Sequence, residues 1–357
     1  MNIFPFAFWQ GAPPTVITSV NYSQWDIDGG GADIVITGSG FTGKEPYIDG
    51  VAVPVYTVDN DTQITMTAPA HAAGMVNLTV GSGAGESNTV PIEYWSPHSL
   101  VLAWWLRSDG AGGYTVLSGN GTMLDESGNG RDATSAGANT PPIGAGADVL
   151  EGNVPPVFGG TGSTDMLTAA ALFKPIKADG TYYWHAFFAK PTQFVDNGIP
   201  HQNKPTLIGG GNAGGFYLGQ MWFKRNIEAP NIQNKIAAYH YDGLPRSTEI
   251  GGLQPDGFYA GYSYYTGGEA LPADRKIYLH CNGTDAVPLT CGPVISWINN
   301  GNKIGRNEFS NQDFGGPIYE VLITGADAAS QNYGDAEGEK FMKYCRQRYG
   351  KALNAIP

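Results

Sequence analysis

The sequence predicts an all-β protein, built as a small β-sandwich followed by a larger one and closed by a single C-terminal helix. Three observations carry that expectation. Gly supplies 51 of the 357 residues, about twice its usual share of ~7%, as many short strands joined by tight turns require. Charged residues make up only 15% of the chain against a typical ~25%, which excludes coiled coils and helical repeats. Apolar and polar residues alternate with period two along the readable segments. A hydrophobic content of 41% is ample for a packed core, so global disorder is excluded as well.

Texture divides the chain into an aromatic arm (residues 1–14), a small domain (15–95) and a larger domain (96–357). In the small domain Ile34 and Ile36 point one way while Val35 and Thr37 point the other. Ile64 and Met66 share a face, Val76, Leu78 and Val80 alternate with Asn77 and Thr79, and Val90, Ile92 and Tyr94 close the pattern. Gly and Asp clusters separate these runs, the turn chemistry of short antiparallel strands. Such spacing predicts a β-sandwich of immunoglobulin type.

From Leu100 onward the strands are aromatic and β-branched: "SLVLAWWLR", "TYYWHAFFA", "KIYLHC" and "GPIYEVLI". Several are apolar on both faces, as strands between sheet layers are. A helix is predicted over Asp335–Tyr349, where Phe341, Tyr344, Cys345 and Arg348 follow a 3.6-residue period. Acidic residues open it and basic residues close it, matching the helix dipole, and Gly350 stands at the C′ position.

Two resemblances follow. Gly29 and Gly30 before a strand, "GSGF" at Gly38–Phe41, "DTQI" at Asp61–Ile64, then Pro69, Ala70 and a Val-rich hairpin make residues 15–95 resemble an IPT/TIG domain. That resemblance implies an immunoglobulin-like scaffold rather than an active site. The opening "WWLRSDG", the turn Asp125, Ser127, Gly128, Asn129, Gly130, Arg131, Asp132, the strand Gly316, Ile318, Glu320, Val321 and a helix ending in "YG" resemble the concanavalin A-like (laminin G-like) jelly rolls. That resemblance covers about 250 residues, although residues 190–300 do not align.

Charge and motifs exclude several functions. A net charge of −12 without a dense Lys/Arg run argues against nucleic acid. No apolar stretch approaches the ~18 residues of a membrane span. The opening "MNIFPFAFWQ" lacks a signal peptide's positive and apolar regions, so synthesis in the cytoplasm is expected. "GSGFTG" and "GGGNAG" match G-x-G-x-x-G, but at this Gly content about one match arises by chance, and Pro46 forbids a helix after the first. The six histidines show no metal or nucleophile spacing, and no strand carries the alternating acids of a jelly-roll glycosidase. Cys281 and Cys291 could close a short loop, but Cys345 would be left over, which favours free thiols.

Three candidate sites remain. Asp125, Asn129 and Asp132 lie in a turn with the 1, 3, 5 spacing of a calcium loop. Position twelve is Ala136, so a structural Asx turn competes with calcium, and no other cofactor is expected. In "DGFYAGYSYYTGG", Tyr262 and Tyr264 share one face, Tyr259 and Tyr265 the other; they form either a glycan- or partner-binding surface or an ordinary aromatic strand. In the arm Phe4, Phe6 and Phe8 alternate, with Trp9 adjacent. These rings either pack back on their own domain or insert into a neighbouring subunit by strand addition.

The arm also resembles the openings of tailed-phage virion proteins. The expectation is a non-enzymatic bacteriophage structural protein, a head or tail decoration or fibre-like component. It would be made in the host cytoplasm, be oligomeric on the virion surface, and be anchored by its arm to a capsid or tail protein. Its jelly roll would face outward to bind host-surface polysaccharide or protein. A bacterial glycan-binding adhesin and a glycoside-cleaving enzyme are the alternatives.

Overall fold

Alternation decides the first core. In the computed structural model, strands β1 (Val16–Val20), β2 (Gln24–Trp25), β3 (Gly30–Ser39), β4 (Glu45–Ile48), β5 (Val51–Ala52), β6 (Tyr56–Asn60), β7 (Gln63–Ala68), β8 (Gly74–Gly81) and β9 (Val90–Tyr94) form two sheets. Their orders are β1-β3-β7-β6 and β2-β9-β8-β4-β5. Every pairing is antiparallel except β2 with β9. The residues expected to face inward do so: Ile34, Ile36, Ile64, Met66, Val76, Leu78, Val80 and Ile92 are buried in one cluster fed by both sheets. Trp25 packs edge-on against Tyr94 at its centre, with ring centroids 5.5 Å apart. The structure describes residues 14–83, 86–108, 113–160, 165, 167–169, 182–194, 206–210, 220–226, 233–242, 244–267, 271–292, 302–305, 314–325, 332–351 and 353.

The chain divides into two compact units, residues 1–96 with 347–350, and residues 97–346 with 351–357. Gly29 earns its place in the first: its φ is +75°, and a Cβ there would lie 2.6 Å from the Ala70 amide nitrogen. The "GSGF" segment joins β3 to β4 with no helix, so no helix N-terminus is offered to a phosphate.

The second unit pairs two larger sheets. One runs Trp104–Arg107, Gly315–Ile323, Tyr182–Ala189, Tyr259–Thr266, Lys276–Cys281, Thr284–Asp285. The other includes Tyr114–Leu117, Asn120–Met123, Asn302–Ile304, Gln233–Tyr241 and Pro245–Gly251. Trp104, Leu106, Tyr183, Phe187, Ile236, Ala238, Val321 and Ile323, drawn from both, share one core. The fold class is therefore all-β, as expected.

The two ends of the jelly-roll pattern meet in this unit. Trp105 lies opposite Leu322 and Arg107 opposite Glu320. The Trp105 indole Nε1 donates to Glu320 Oε1 at 2.6 Å in the buried interior. Helix α1 spans Asp335–Tyr349, the predicted range. Glu337 Oε2 accepts from the Gly334 amide at 2.9 Å to cap its start, and Gly350 follows its last turn with φ +60°.

Candidate functional site

The Tyr259–Thr266 strand alternates as predicted, but all four candidate tyrosines are buried. Tyr259 and Tyr265 belong to the core between the sheets. Tyr262 and Tyr264, 1% and 8% exposed, face the opposite side. There Tyr262 lies under α1: a Cβ on Gly338 would fall 2.2 Å from its ring. An exposed aromatic platform at these four positions is thus corrected to packed rings: the inter-sheet core takes Tyr259 and Tyr265, a helix from far along the chain covers Tyr262, and Tyr264 stacks on Tyr278. Burial pushes the Tyr262 and Tyr264 hydroxyls well above the usual phenol range, and the Asp335 carboxylate adds to it.

The next strand brings polar groups to the margin of that face. Tyr278 lies opposite Tyr264, and His280 opposite Tyr262. The Tyr278 and Tyr264 rings stack 4.5 Å apart at 7°, and those of His280 and Tyr262 4.5 Å apart at 14°. His280 Nδ1 pairs with Asp285, and its Nε2 lies 2.9 Å from Asp335 Oδ1. The Tyr262 hydroxyl donates to the same Asp335 oxygen at 3.4 Å. The imidazole is 12% exposed, while the side chains of Asp285 and Asp335 are 71% and 54% exposed.

This arrangement is two solvent-facing carboxylates flanking an imidazole that is backed by stacked rings. Carboxylate oxygens accept hydrogen bonds from hydroxyl groups, and charge makes such bonds about twice as strong as neutral ones. Alternation in "KIYLHC" placed Tyr278 and His280 on one face of a strand, a signal the sequence reading did not use. Asp335 joins them only through the docking of α1.

The Asp125–Asp132 turn is built by its own hydrogen bonds. Asp125 accepts from the amides of Trp105 (3.1 Å), Ser127 (3.0 Å) and Arg131 (2.9 Å). Asp132 Oδ1 accepts from the Asp125 amide at 3.0 Å. Asn129 turns its amide nitrogen inward, donating to the carbonyls of Leu102 (2.9 Å) and Ala103 (3.3 Å). The geometry is that of an Asx turn securing the Trp104–Arg107 strand. Among the described residues no group of three or more His, Cys, Asp or Glu side chains is arranged to hold a metal ion.

The three cysteines are buried thiols, none of them in a disulfide. Burial pushes the Cys291 thiol up to about 12, so it is a packing residue rather than a nucleophile. Phe4, Phe6, Phe8 and Trp9 lie outside the described residues.

The two-sheet order and the backbone demands at Gly29 set the first unit beside a known family. Residues 14–94 match the IPT/TIG domain. The IPT/TIG match spans the whole first sandwich and ends at its last strand. No curated protein matches the chain. Among solved structures, domain 4 of AbnA, a GH43 extracellular arabinanase from Geobacillus stearothermophilus in complex with arabinotriose, is 13% identical, covering 64% of this chain and 94% of its own, with a TM-score of 0.37. The binding domain of botulinum neurotoxin serotype G is 12% identical over 68% of this chain and 51% of its own, with a TM-score of 0.37. The CBM40 of the Ruminococcus gnavus IT-sialidase bound to alpha2,3 sialyllactose is 10% identical over 49% of this chain and 90% of its own, with a TM-score of 0.29.

Proposed function

We propose that the chain is a non-catalytic structural component of a tailed-bacteriophage particle, a decoration or fibre-like protein of the head or tail. Its second unit binds a neutral polysaccharide on the host surface. The observation that carries the binding role is the exposed Asp285 and Asp335 pair around His280. Polyols offer hydroxyls to such carboxylates, whereas an anionic glycan would meet both of them and a net charge of −12. The particle role rests on the uncharged aromatic arm, whose Phe4, Phe6, Phe8 and Trp9 suit docking on another subunit of the particle.

Binding is tested by titrating the full chain with neutral and acidic host polysaccharides. Binding to a neutral one, weakened about tenfold or more by Asp285→Ala, is the expected result. An unchanged affinity in that variant removes the site, and release of reducing ends by purified protein ends the non-catalytic reading. Mass spectrometry of purified particles tests the location, and absence of the chain from them refutes it.

A further inference from the structure

The first unit has an open edge. β5 ends one sheet and β6 ends the other, and the chain crosses between them through Val53, Pro54 and Val55. A cavity of about 190 Å³ lies beside the crossing, lined by Ile48, Val51, Val53, Pro54, Pro69 and His71 among others. Val51 and Val55 are 71% and 60% exposed there. Scattered apolar side chains on a surface are ordinary, but Val51 lines this mostly apolar cavity, with Asp49 and His71 as its polar members, and Val55 follows its Pro54 wall toward the β6 edge. A dry cavity of about 150 Å³ admits a benzene molecule, so this one has room for a single Phe ring.

The chain carries a segment that matches it. In Phe4–Trp9 the rings alternate with period two, as a strand with one apolar face requires. Pro5 is tolerated in such a strand when its bond-free side faces solvent. Residues 1–14 contain no Asp, Glu, Lys or Arg. On a chain of net charge −12, copies repel one another, and an uncharged docking strand adds nothing to that repulsion.

The place where the arm departs points to a second copy. Ser39 Oγ donates to the Pro14 carbonyl at 3.5 Å, and Thr15 Oγ1 to the Gly40 carbonyl at 3.3 Å. The Gly38 amide bonds the Thr62 carbonyl at 2.9 Å, so this corner adjoins the β6–β7 turn. The cavity lies past Ala68, at the other end of β7, roughly 20 Å away at ~3.3 Å per residue. β1, into which the arm runs, is also at the opposite edge of its sheet from β6. The point where the arm joins the unit and the cavity thus lie at opposite corners, the layout of a head-to-tail contact.

We propose that the Phe4–Trp9 segment of one copy adds as a strand along β5 of a neighbouring copy and seats one Phe ring in the cavity. This rests on the docking role of the arm given above and names its receptor. Sedimentation velocity on the full chain across a wide concentration range tests it. Self-association is expected, lost on deleting residues 1–10 and weakened about tenfold or more by Val51→Asp or Val55→Asp. Both valines are exposed, so the melting temperature of the first unit serves as the folding control. A synthetic peptide of residues 1–10 should bind the truncated protein and compete with assembly. A full chain that stays monomeric overturns the proposal, as does association indifferent to both Asp variants. If truncation abolishes incorporation into particles while self-association is unaffected, the receptor named here is wrong and the docking role of the arm survives.

Discussion

Acidification is expected to loosen the second unit through His240. This residue is fully buried on the Gln233–Tyr241 strand, 4.3 Å from the Tyr265 ring, with Nε2 3.1 Å from the Gly292 carbonyl oxygen. Burial pushes its pKa down from 6.5 to about 4, although the Gly292 carbonyl and Asp242 pull the other way. Above pH 6.5 the ring is neutral in both folded and unfolded chains and contributes no pH dependence. Between 6.5 and 4 the unfolded chain takes up a proton that the folded one refuses, so stability falls with pH. The interval of about 2.5 units corresponds to a loss of about 3 kcal/mol by pH 4. Urea titrations from pH 7 to pH 4.5, read at the transition of the second unit, measure it. His240→Gln keeps a donor for the Gly292 carbonyl and cannot titrate, so its stability should fall with a slope smaller by about one proton. Equal slopes in the two proteins would refute the reasoning.

Four further outcomes are expected. Asp125→Ala strips the acceptor from three backbone amides and should cost the second unit about 2–4 kcal/mol in denaturant melts. Chelator should leave the melting temperature of the native protein unchanged, and a calcium-dependent rise would reinstate a metal at that turn. Gly338→Ala should lower the melting temperature despite the better helix propensity of Ala, because the new Cβ falls on a Tyr262 ring stacked between Trp184 and His280; a gain in stability would show that the ring gives way. Tyr262→Ala should cost about 3–5 kcal/mol, and a loss near zero would return that ring to the surface.

What could be read from the sequence was whatever depends on local period. Ile34 with Ile36, and Val76 with Leu78 and Val80, face inward because a strand alternates, and a buried face leaves only one register open. The α1 bounds came from a 3.6-residue period, acidic residues at its start, and basic residues with Gly350 at its end. Period also showed which tyrosines share a face, but not that Gly338 would bring a helix down on Tyr262; coverage is a tertiary fact. The Asp125 turn was ambiguous for a related reason: the same spacing suits calcium or an Asx turn, and the choice lies in where Asn129 aims its amide. Asp285 and Asp335 were invisible as a pair, since only folding brings a hairpin and a helix start to one imidazole.

The bond from Trp105 to Glu320 has a kinetic side. It spans 215 residues, and the Trp104–Arg107 strand takes its place in the sheet beside Gly315–Ile323. At a synthesis rate of ~5–20 residues per second, roughly 10–40 s pass before that partner leaves the ribosome. Throughout that wait two tryptophans and a leucine of the emerging chain have no sheet to join. The Trp104–Arg107 strand therefore joins its sheet late, and holdase chaperones are the cellular factors that such an interval calls on.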